Sequence, residues 1–445
     1  MANFITTAIQ WDGKENFDAF FKPMFIGKSP FQTQGIRIIP NIQSKEKLNY
    51  FGSASKVMKA YSKGFNPAAG STFTQRDIDV YQMKAEMAED ANAFYKTVFE
   101  QVLGKGTEWD DLDKAPQLKA IIMKIWSNAL ESDIYRQFWL NDVYKETISG
   151  GTYTGTADVD YNAFNGIWKY IFDNAAASPS ADQIKLVAIS ASAVAQVETV
   201  TLTGSSGTAN ILINGVNYLA TWNTSLTQTA PDFVTTHATA LALRGITVTS
   251  SVADVILTSS IAGQPYTAPT ITNVIADLAG SVAHTTPNTA PSALSTNQAL
   301  TVMDSLYTDS DKVLKQIPKN EKVMLVTDTI YENYQKTLRG YNSSYYFTSE
   351  GGRTQMQDGV DMLKYEGIPV LKLGWDVHLD ADFPTGRPHR VIYTALQNLV
   401  LAIDAMSEFS KSEFWYNKDE QENRYRTQMK IGANYVHNKL MSAAY

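Results

Sequence analysis

The 445-residue sequence contains no cysteine. This absence excludes a disulfide framework and a thiolate metal site, and it leaves the redox compartment open. No apolar run approaches the roughly 18 residues that indicate a membrane-spanning helix. The first residues, MANFITTAIQWDG, lack the basic start, apolar centre and small-residue cleavage site of a signal peptide. We therefore expect a soluble protein that is made in a cytoplasm.

Catalytic motifs are also absent. Ser53 and Lys56 match S-x-x-K, but the companion S-D-N and K-T-G elements are missing. The segment YTDSDK lacks the glycine and the terminal glutamate of a calcium loop, so we interpret it as a turn. The histidines show no paired ligand spacing; they are His237, His284, His378, His389 and His437. We expect no catalytic residue, no cofactor and no metal ion, and hence no enzyme.

Charge is scarce in one part of the chain. Between Leu186 and Ala290 only five of 105 residues are charged, namely Glu198, Asp232, Arg244, Asp254 and Asp277. The rest of the chain has close to the usual quarter of charged residues. A change this abrupt indicates a separately folding unit inserted into a discontinuous host domain, and the chain length allows about two or three domains.

The uncharged segment has its own α+β pattern. Strands are predicted near VETVTLTG, NILING, NYLATWN, ITVTS and DVILTSS. A helix is predicted in APDFVTTHATALALRG, with Asp232 or Thr229 as its N-cap and Gly245 at its end. A spacer that stabilises a larger assembly and a glycan-binding or host-surface adhesion module are both consistent with this pattern.

Two neighbouring segments carry opposite charge. Residues 36–76 have a net charge of +6 and residues 77–142 a net charge of −6, within a chain whose total is −7. The overall charge gives no basic signature for sequence-specific nucleic-acid binding. The two segments could pair within one chain or between neighbouring subunits, and the residues alone leave both open.

The host segments predict alternating strands and helices. GIRIIPNI and RDIDVYQM indicate strands on either side of a long basic flap, and EMAEDANAFYKTVFEQVLGKG indicates an amphipathic helix. After Pro116 the apolar spacing predicts a helix of about seven turns. Ser295 and Gln298 have the spacing of a capping box before another helix. EKVMLVTD, GIPVLKLGW and HRVIYTALQNLVLAID indicate strands, TIYENYQKTL a helix, and NRYRTQMKI an alternating strand.

This order of parts resembles the major capsid proteins of tailed bacteriophages with the Hong Kong 97 (HK97-like) fold. The segments YNAFNGIWKYIFD, YEGIPVLKLGWD and RVIYTALQNLVLAID are similar in texture to that family's axial segments and its return to the peripheral sheet. The resemblance implies an α+β fold with these parts: N-terminal arm 1–30, extended loop 31–85, peripheral domain with a long spine helix 86–150, first axial part 151–185, inserted β-rich domain 186–290, second axial part 291–385, and return strands of the peripheral and axial domains 386–445.

The function implied by the resemblance is a virion shell protein, made in the cytoplasm of a bacterial host. Such subunits assemble as pentamers and hexamers into an icosahedral shell around double-stranded DNA, which they contact non-specifically. Portal, scaffold and decoration proteins are possible partners, and the short arm suggests no cleavable scaffolding segment. The extended loop is expected to contact a neighbouring subunit through Lys45, Lys47, Lys56, Lys59, Lys63 and Arg76. An encapsulin-like nanocompartment shell and a surface adhesin or glycan-binding protein remain the alternatives.

Overall fold

The computed structural model describes residues 9–11, 30–42, 44–52, 58, 60–61, 63–64, 73–90, 116–149, 152–180, 182–189, 193–341, 355–357, 360–374, 387–404, 412–417, 419–420 and 422–445. These residues combine helices and sheets and divide into two compact units. The first unit comprises the described parts of Met1–Asn141, Ala163–Asp173 and Leu396–Asn438. The second comprises those of Asp142–Asn162, Asn174–Ala395 and Lys439–Tyr445.

The helices of the described residues are α1 (Pro30–Thr33), α2 (Pro116–Leu140), α3 (Ile167–Asn174), α4 (Leu226–Leu243), α5 (Gln298–Asp309), α6 (Lys312–Gln316) and α7 (Asp328–Tyr341), with 3-10 turns at Lys319–Glu321 and Asn438–Leu440. The strands are β1 (Ile9–Trp11), β2 (Arg37–Pro40), β3 (Lys45–Phe51), β4 (Phe73–Asp79), β5 (Tyr81–Asp90), β6 (Glu146–Ser149), β7 (Thr152–Ala157), β8 (Ala175–Ala176), β9 (Ile184–Val187), β10 (Val197–Thr203), β11 (Gly207–Ile213), β12 (Val216–Thr221), β13 (Ile246–Ser251), β14 (Asp254–Ser259), β15 (Thr270–Ala276), β16 (Ala279–Thr286), β17 (Lys322–Val326), β18 (Gln355–Gln357), β19 (Val360–Tyr365), β20 (Ile368–Lys372), β21 (Val391–Ala395), β22 (Leu399–Asp404), β23 (Ser412–Asn417), β24 (Glu422–Tyr435) and β25 (Met441–Ala444). None of the described helices is both long enough and apolar enough to cross a membrane.

Strand β24 organises the six-stranded sheet of the first unit. It pairs antiparallel with β22, β23 and β5, while β2 lies parallel to β22. The alternation predicted for NRYRTQMKI is confirmed, because the side chains of one face are buried and those of the other are only partly covered. The buried face consists of Tyr425, Thr427, Met429 and Ile431.

The long helix predicted after Pro116 is confirmed as α2, which has 25 residues. Its described side chains place an apolar stripe in the core, formed by Trp126, Leu130, Ile134 and Phe138. The spacing of that stripe follows the 3.6-residue period of an α-helix. The indole Nε1 of Trp126 donates a hydrogen bond of 3.2 Å to Oγ1 of Thr427, which fixes the helix against β24.

The helix predicted from Glu86 is wrong over its first residues. Residues 86–90 belong to β5, which pairs with β24 over ten consecutive positions. The side chains of Met83, Ala85 and Met87 are partly buried on one face, whereas those of Gln82 and Lys84 are exposed, a period of two. Long-range pairing therefore overrides the local helical pattern, and β5 crosses the boundary expected between residues 85 and 86. The remainder of the predicted helix lies outside the described residues.

The second unit contains an eight-stranded mixed sheet in the order β18-β19-β20-β17-β21-β25-β9-β8. Strands β17 and β21 lie near its centre and are buried at every position. Helices α5 and α7 contribute apolar side chains, including Met303 and Ile330, to the same hydrophobic cluster. The strand predicted in EKVMLVTD and the helix predicted in TIYENYQKTL are confirmed as β17 and α7.

Within that unit, residues 197–286 build a substructure with its own hydrophobic cluster, hereafter the module. Its sheets have the orders β13-β14-β10-β16 and β12-β11-β15, and α4 connects β12 to β13. The five strands predicted here are confirmed, and the structure adds β15 and β16. The expected boundary at Leu186 falls inside β9, which pairs with β25.

Two predicted helix caps are wrong. Helix α4 begins at Leu226 after the N-cap Ser225, so Thr229 and Asp232 lie inside it together with Pro231. Gly245 follows the end of this helix with a φ of 75°, as predicted for a C-terminal stop. Helix α5 has Asn297 as its N-cap, although Gln298 still accepts a 2.8 Å hydrogen bond from the amide of Ser295.

Candidate assembly surface

The β3–β4 hairpin is the described part of the expected extended loop. Its strands pair without a break from Lys45 opposite Asp79 to Phe51 opposite Phe73. At one end Leu48 and Ile78 are buried in a cluster with Ile42, Val400 and Ala402. This end is anchored in the first unit by apolar contacts with residues before β3 and on β22.

Close approach of β4 to β24 strengthens that anchor. The side-chain amide of Asn434 donates a 2.8 Å hydrogen bond to the carbonyl of Asp77. A Cβ atom at Gly432 would lie 2.0 Å from the carbonyl oxygen of Asp79, a distance that no side chain tolerates. Glycine at this position therefore permits β4 and β24 to lie together.

The charges nearest the anchored end are paired within the hairpin. Nζ of Lys45 lies 2.9 Å from a carboxylate oxygen of Asp77 and 3.7 Å from one of Asp79. Nζ of Lys47 lies 3.3 Å from the other carboxylate oxygen of Asp77. The hydrogen bond to Asp77 raises the pKa of Lys45, and the same bond lowers the pKa of Asp77. Because the four side chains are 39–58% exposed, these pairs orient the strands more than they stabilise the fold.

Arg76 is also engaged within its own chain. Its guanidinium carbon lies 4.0 Å from the centre of the Tyr435 ring, a cation–π distance. Tyr170 belongs to the same cluster, and burial raises its pKa to about 12, with smaller contributions from Tyr81 and Asp79. The cluster connects β4, α3 and β24.

The six predicted contact residues therefore fall into different places. Lys45, Lys47 and Arg76 have partners in their own unit. Lys63 is exposed beyond the paired strands, whereas Lys56 and Lys59 lie outside the described residues. Intramolecular pairing thus accounts for half of the set, and Lys63 is exposed in the segment between β3 and β4.

Exposed apolar side chains at the free end of the hairpin were missed by the sequence reasoning. The Phe51 side chain is 75% exposed and that of Phe73 is 47% exposed, and their ring centres are 4.8 Å apart. Farther along, Met58 and Tyr61 are 97% and 96% exposed. An anchored hairpin that ends in large exposed apolar groups has the properties of a surface that a partner covers. The register of the hairpin places Phe51 opposite Phe73, and this pairing is the signal that could have identified the exposed apolar surface.

Three histidine side chains have hydrogen-bond partners in the described structure: His237, His284 and His389. His389 bonds to Oγ1 of Thr329 at 2.8 Å and to the carbonyl of Ser292 at 3.0 Å. Nε2 of His237 lies 3.0 Å from the carbonyl of Leu219, and Nδ1 of His284 bonds to Glu198. The described residues include no group of three side chains placed to hold a metal ion. Ser53, Lys56 and His378 lie outside them.

No protein-family model matches the sequence, and no curated protein is significantly similar to it. Among solved structures, the chain is similar to the satellite phage P4 procapsid, which includes the size determination protein, with 11% identity and a TM-score of 0.42 over 94% of this chain and 86% of the other. It is similar to the capsid of cyanophage P-SCSP1u, with 10% identity and a TM-score of 0.37 over 100% and 91%. It is also similar to the holo-SrpI encapsulin complex from Synechococcus elongatus, with 7% identity and a TM-score of 0.37 over 95% and 89%. Two of these structures are phage capsids or procapsids, and the third is an encapsulin.

Proposed function

We propose that the chain is the major capsid protein of a tailed double-stranded DNA bacteriophage and assembles as pentamers and hexamers into an icosahedral shell. The observation that carries this proposal is the β3–β4 hairpin. Its base is buried with Ile42 and β22, while Phe51 and Phe73 at its free end are open to solvent. If a neighbouring copy covers those rings, the same contact repeats at every subunit of the shell.

The order of elements supports the same proposal. An extended hairpin comes before the long helix α2, and late strands β22 to β24 return to the sheet that β5 joins. This is the order implied by the family resemblance in the sequence. The module would then be an inserted domain. The chain as a whole would contact the packaged DNA non-specifically, and portal, scaffold and decoration proteins would be its partners in the shell.

Burial of the hairpin tip gives an energetic test. Burying one Phe side chain stabilises a contact by about 1.5–3 kcal/mol, and about 1.4 kcal/mol changes an equilibrium constant tenfold. The double variant Phe51→Ser/Phe73→Ser should therefore raise the protein concentration required for assembly about tenfold or more. Static light scattering across a concentration series measures this threshold.

A matched control is available on the second unit. Val159 and Val252 are also large exposed apolar residues, with 80% and 71% exposure, and neither belongs to the hairpin. Val159→Ser/Val252→Ser should leave the assembly threshold unchanged. Equal thresholds for wild type and the Phe51→Ser/Phe73→Ser variant would remove the hairpin tip as an assembly contact.

A further inference from the structure

Strand β15 presents an unusually open edge on the module. It pairs with β11 on one side, and no other described strand pairs with it. Six of its seven residues are exposed, and only Ile271 is partly covered. The sequence TITNVIA has no charged residue and no proline, although edge strands commonly use both to prevent pairing with other chains.

We propose that β15 is a strand-addition site for β15 of a second copy of this chain. The two strands would pair antiparallel across a two-fold axis, so that residue i of one copy lies opposite residue j of the other and residue j opposite residue i. Only the residue on the axis faces its own counterpart. The inference rests on the proposed function, because an icosahedral shell brings identical subunits together at two-fold positions.

The backbone of β15 provides the binding groups. In an antiparallel strand, alternate residues direct their N–H and C=O groups to opposite edges. The backbone groups of Thr270–Ile275 find their only strand partner among the described residues in β11. The N–H and C=O groups that point away from β11 are therefore available to another strand. Hydrogen bonds to that strand would replace their hydrogen bonds to solvent.

The charges near β15 are compatible with a second copy as the occupant. Asp277 follows the strand, but its carboxylate accepts hydrogen bonds from the hydroxyls of Ser205 and Ser206 at 2.9 and 2.8 Å. If two strands pair around Asn273, the middle residue, their Asp277 residues lie about 26 Å apart at ~3.3 Å per residue. This separation far exceeds the Debye length of roughly 8 Å at physiological ionic strength, so like charges do not oppose the pairing.

The contact would be short. The register of β15 shifts opposite Thr208 and Ala209, which leaves Val274 without a partner in β11. The longest stretch without a register shift is Thr270–Asn273, and a few strand residues do not form a stable dimer alone. We therefore expect the pairing within an assembly, where other contacts hold the copies together.

Single-cysteine variants of the full-length chain test the pairing directly, because the natural sequence has no cysteine. Each of three variants places one thiol on β15: Thr272→Cys, Asn273→Cys and Val274→Cys. The control Val252→Cys places one thiol at a 71% exposed position in the turn between β13 and β14. Antiparallel neighbours lie about 4.5–5.5 Å apart, within the range for a disulfide. After oxidation with copper phenanthroline, at least one β15 variant should form at least tenfold more dimer than Val252→Cys. Yields at or below that of Val252→Cys for all three would overturn the inference.

A paired substitution separates this inference from the proposed function. Val274→Lys should reduce the yield of sedimenting particles, while Val252→Lys should not. Particles without β15-specific dimers overturn the inference, leave the shell function intact and point to a strand of a different protein as the occupant. If the wild type sediments only as a monomer, the shell function fails, and the absence of β15 dimers in that preparation overturns the inference as well.

Discussion

Val194 and Thr289 hydrogen-bond to each other through both backbone amides, and each N–H lies 3.1 Å from the other residue's carbonyl oxygen. The chain therefore enters and leaves the module at adjacent points. A segment whose ends meet in this way can be removed without stretching the remaining chain.

Removal of the module should therefore leave a folded subunit. We expect a variant in which residues 195–288 are replaced by a short Gly/Ser linker to retain the eight-stranded sheet and to assemble. The cut leaves β9 intact, whereas a cut at Leu186 would divide it. Circular dichroism and sedimentation measure both properties. As a control, removal of 186–290 should cost more stability, and an unfolded 195–288 deletion would show that the module belongs to the core of its unit.

Charge reversal in the segment between β3 and β4 should slow assembly. Lys45 and Lys47 already have Asp77 as a partner, whereas Lys63 is exposed and Lys56 and Lys59 lie outside the described residues. The triple change of Lys56, Lys59 and Lys63 to Glu should lower the assembly rate at low salt, and the difference should shrink as salt rises. Time-resolved light scattering measures the rate.

The matched control has the same change in net charge at three other exposed lysines. Lys312, Lys319 and Lys336 belong to the second unit, and none of them is part of the hairpin. If their reversal to Glu slows assembly equally, net charge rather than the hairpin controls the rate, and the intersubunit proposal fails.

The contact between Trp126 and Thr427 should be important for the stability of the first unit. Thr427→Val keeps the side-chain shape but leaves the buried indole N–H without this acceptor. Loss of one partner of a buried hydrogen bond costs about 1–3 kcal/mol. Urea denaturation followed by near-ultraviolet circular dichroism should show this decrease, and Thr427→Ser should recover most of it. No decrease in Thr427→Val would mean that the bond does not hold α2 on β24.

Acid should destabilise the second unit through His389. Burial lowers the pKa of His389 below its usual value, although the hydrogen bond to the Ser292 carbonyl opposes this effect. A lowered folded-state pKa means that stability is lost as pH falls from about 6.5 through that lower value. Thermal unfolding between about pH 7.5 and about pH 5.5 measures the loss. His389→Gln cannot titrate and should flatten the dependence, so an equal slope in that variant would exclude His389 as the cause.

Patterns that are complete within one element could be predicted from the sequence. The alternation around Tyr425 and the helical spacing from Trp126 to Phe138 each identify a buried face without knowledge of any partner. The strand β5 could not be predicted fully, because Glu86–Asp90 is extended only through its pairing with β24, far along the chain. Strand β15 was missed because it is exposed on both faces and so lacks the alternation of a half-buried strand.

The candidate assembly surface was predicted in part. Its basic residues were visible in the sequence, but the partners of Lys45 and Arg76 depend on strand register and on the return of β24. The exposed pair of Phe51 and Phe73 becomes recognisable only when the two strands are aligned. Apolar residues count as core candidates in a sequence, and only the fold shows that these two lie outside the core.

Sedimentation velocity of the purified full-length chain, without any other protein, tests the central claim most directly. A shell-forming subunit should give a concentration-dependent population of large, uniform particles that sediment far faster than the single chain, and electron microscopy should show them to be closed. A single monomeric boundary at every concentration and salt condition tested would contradict the proposed function.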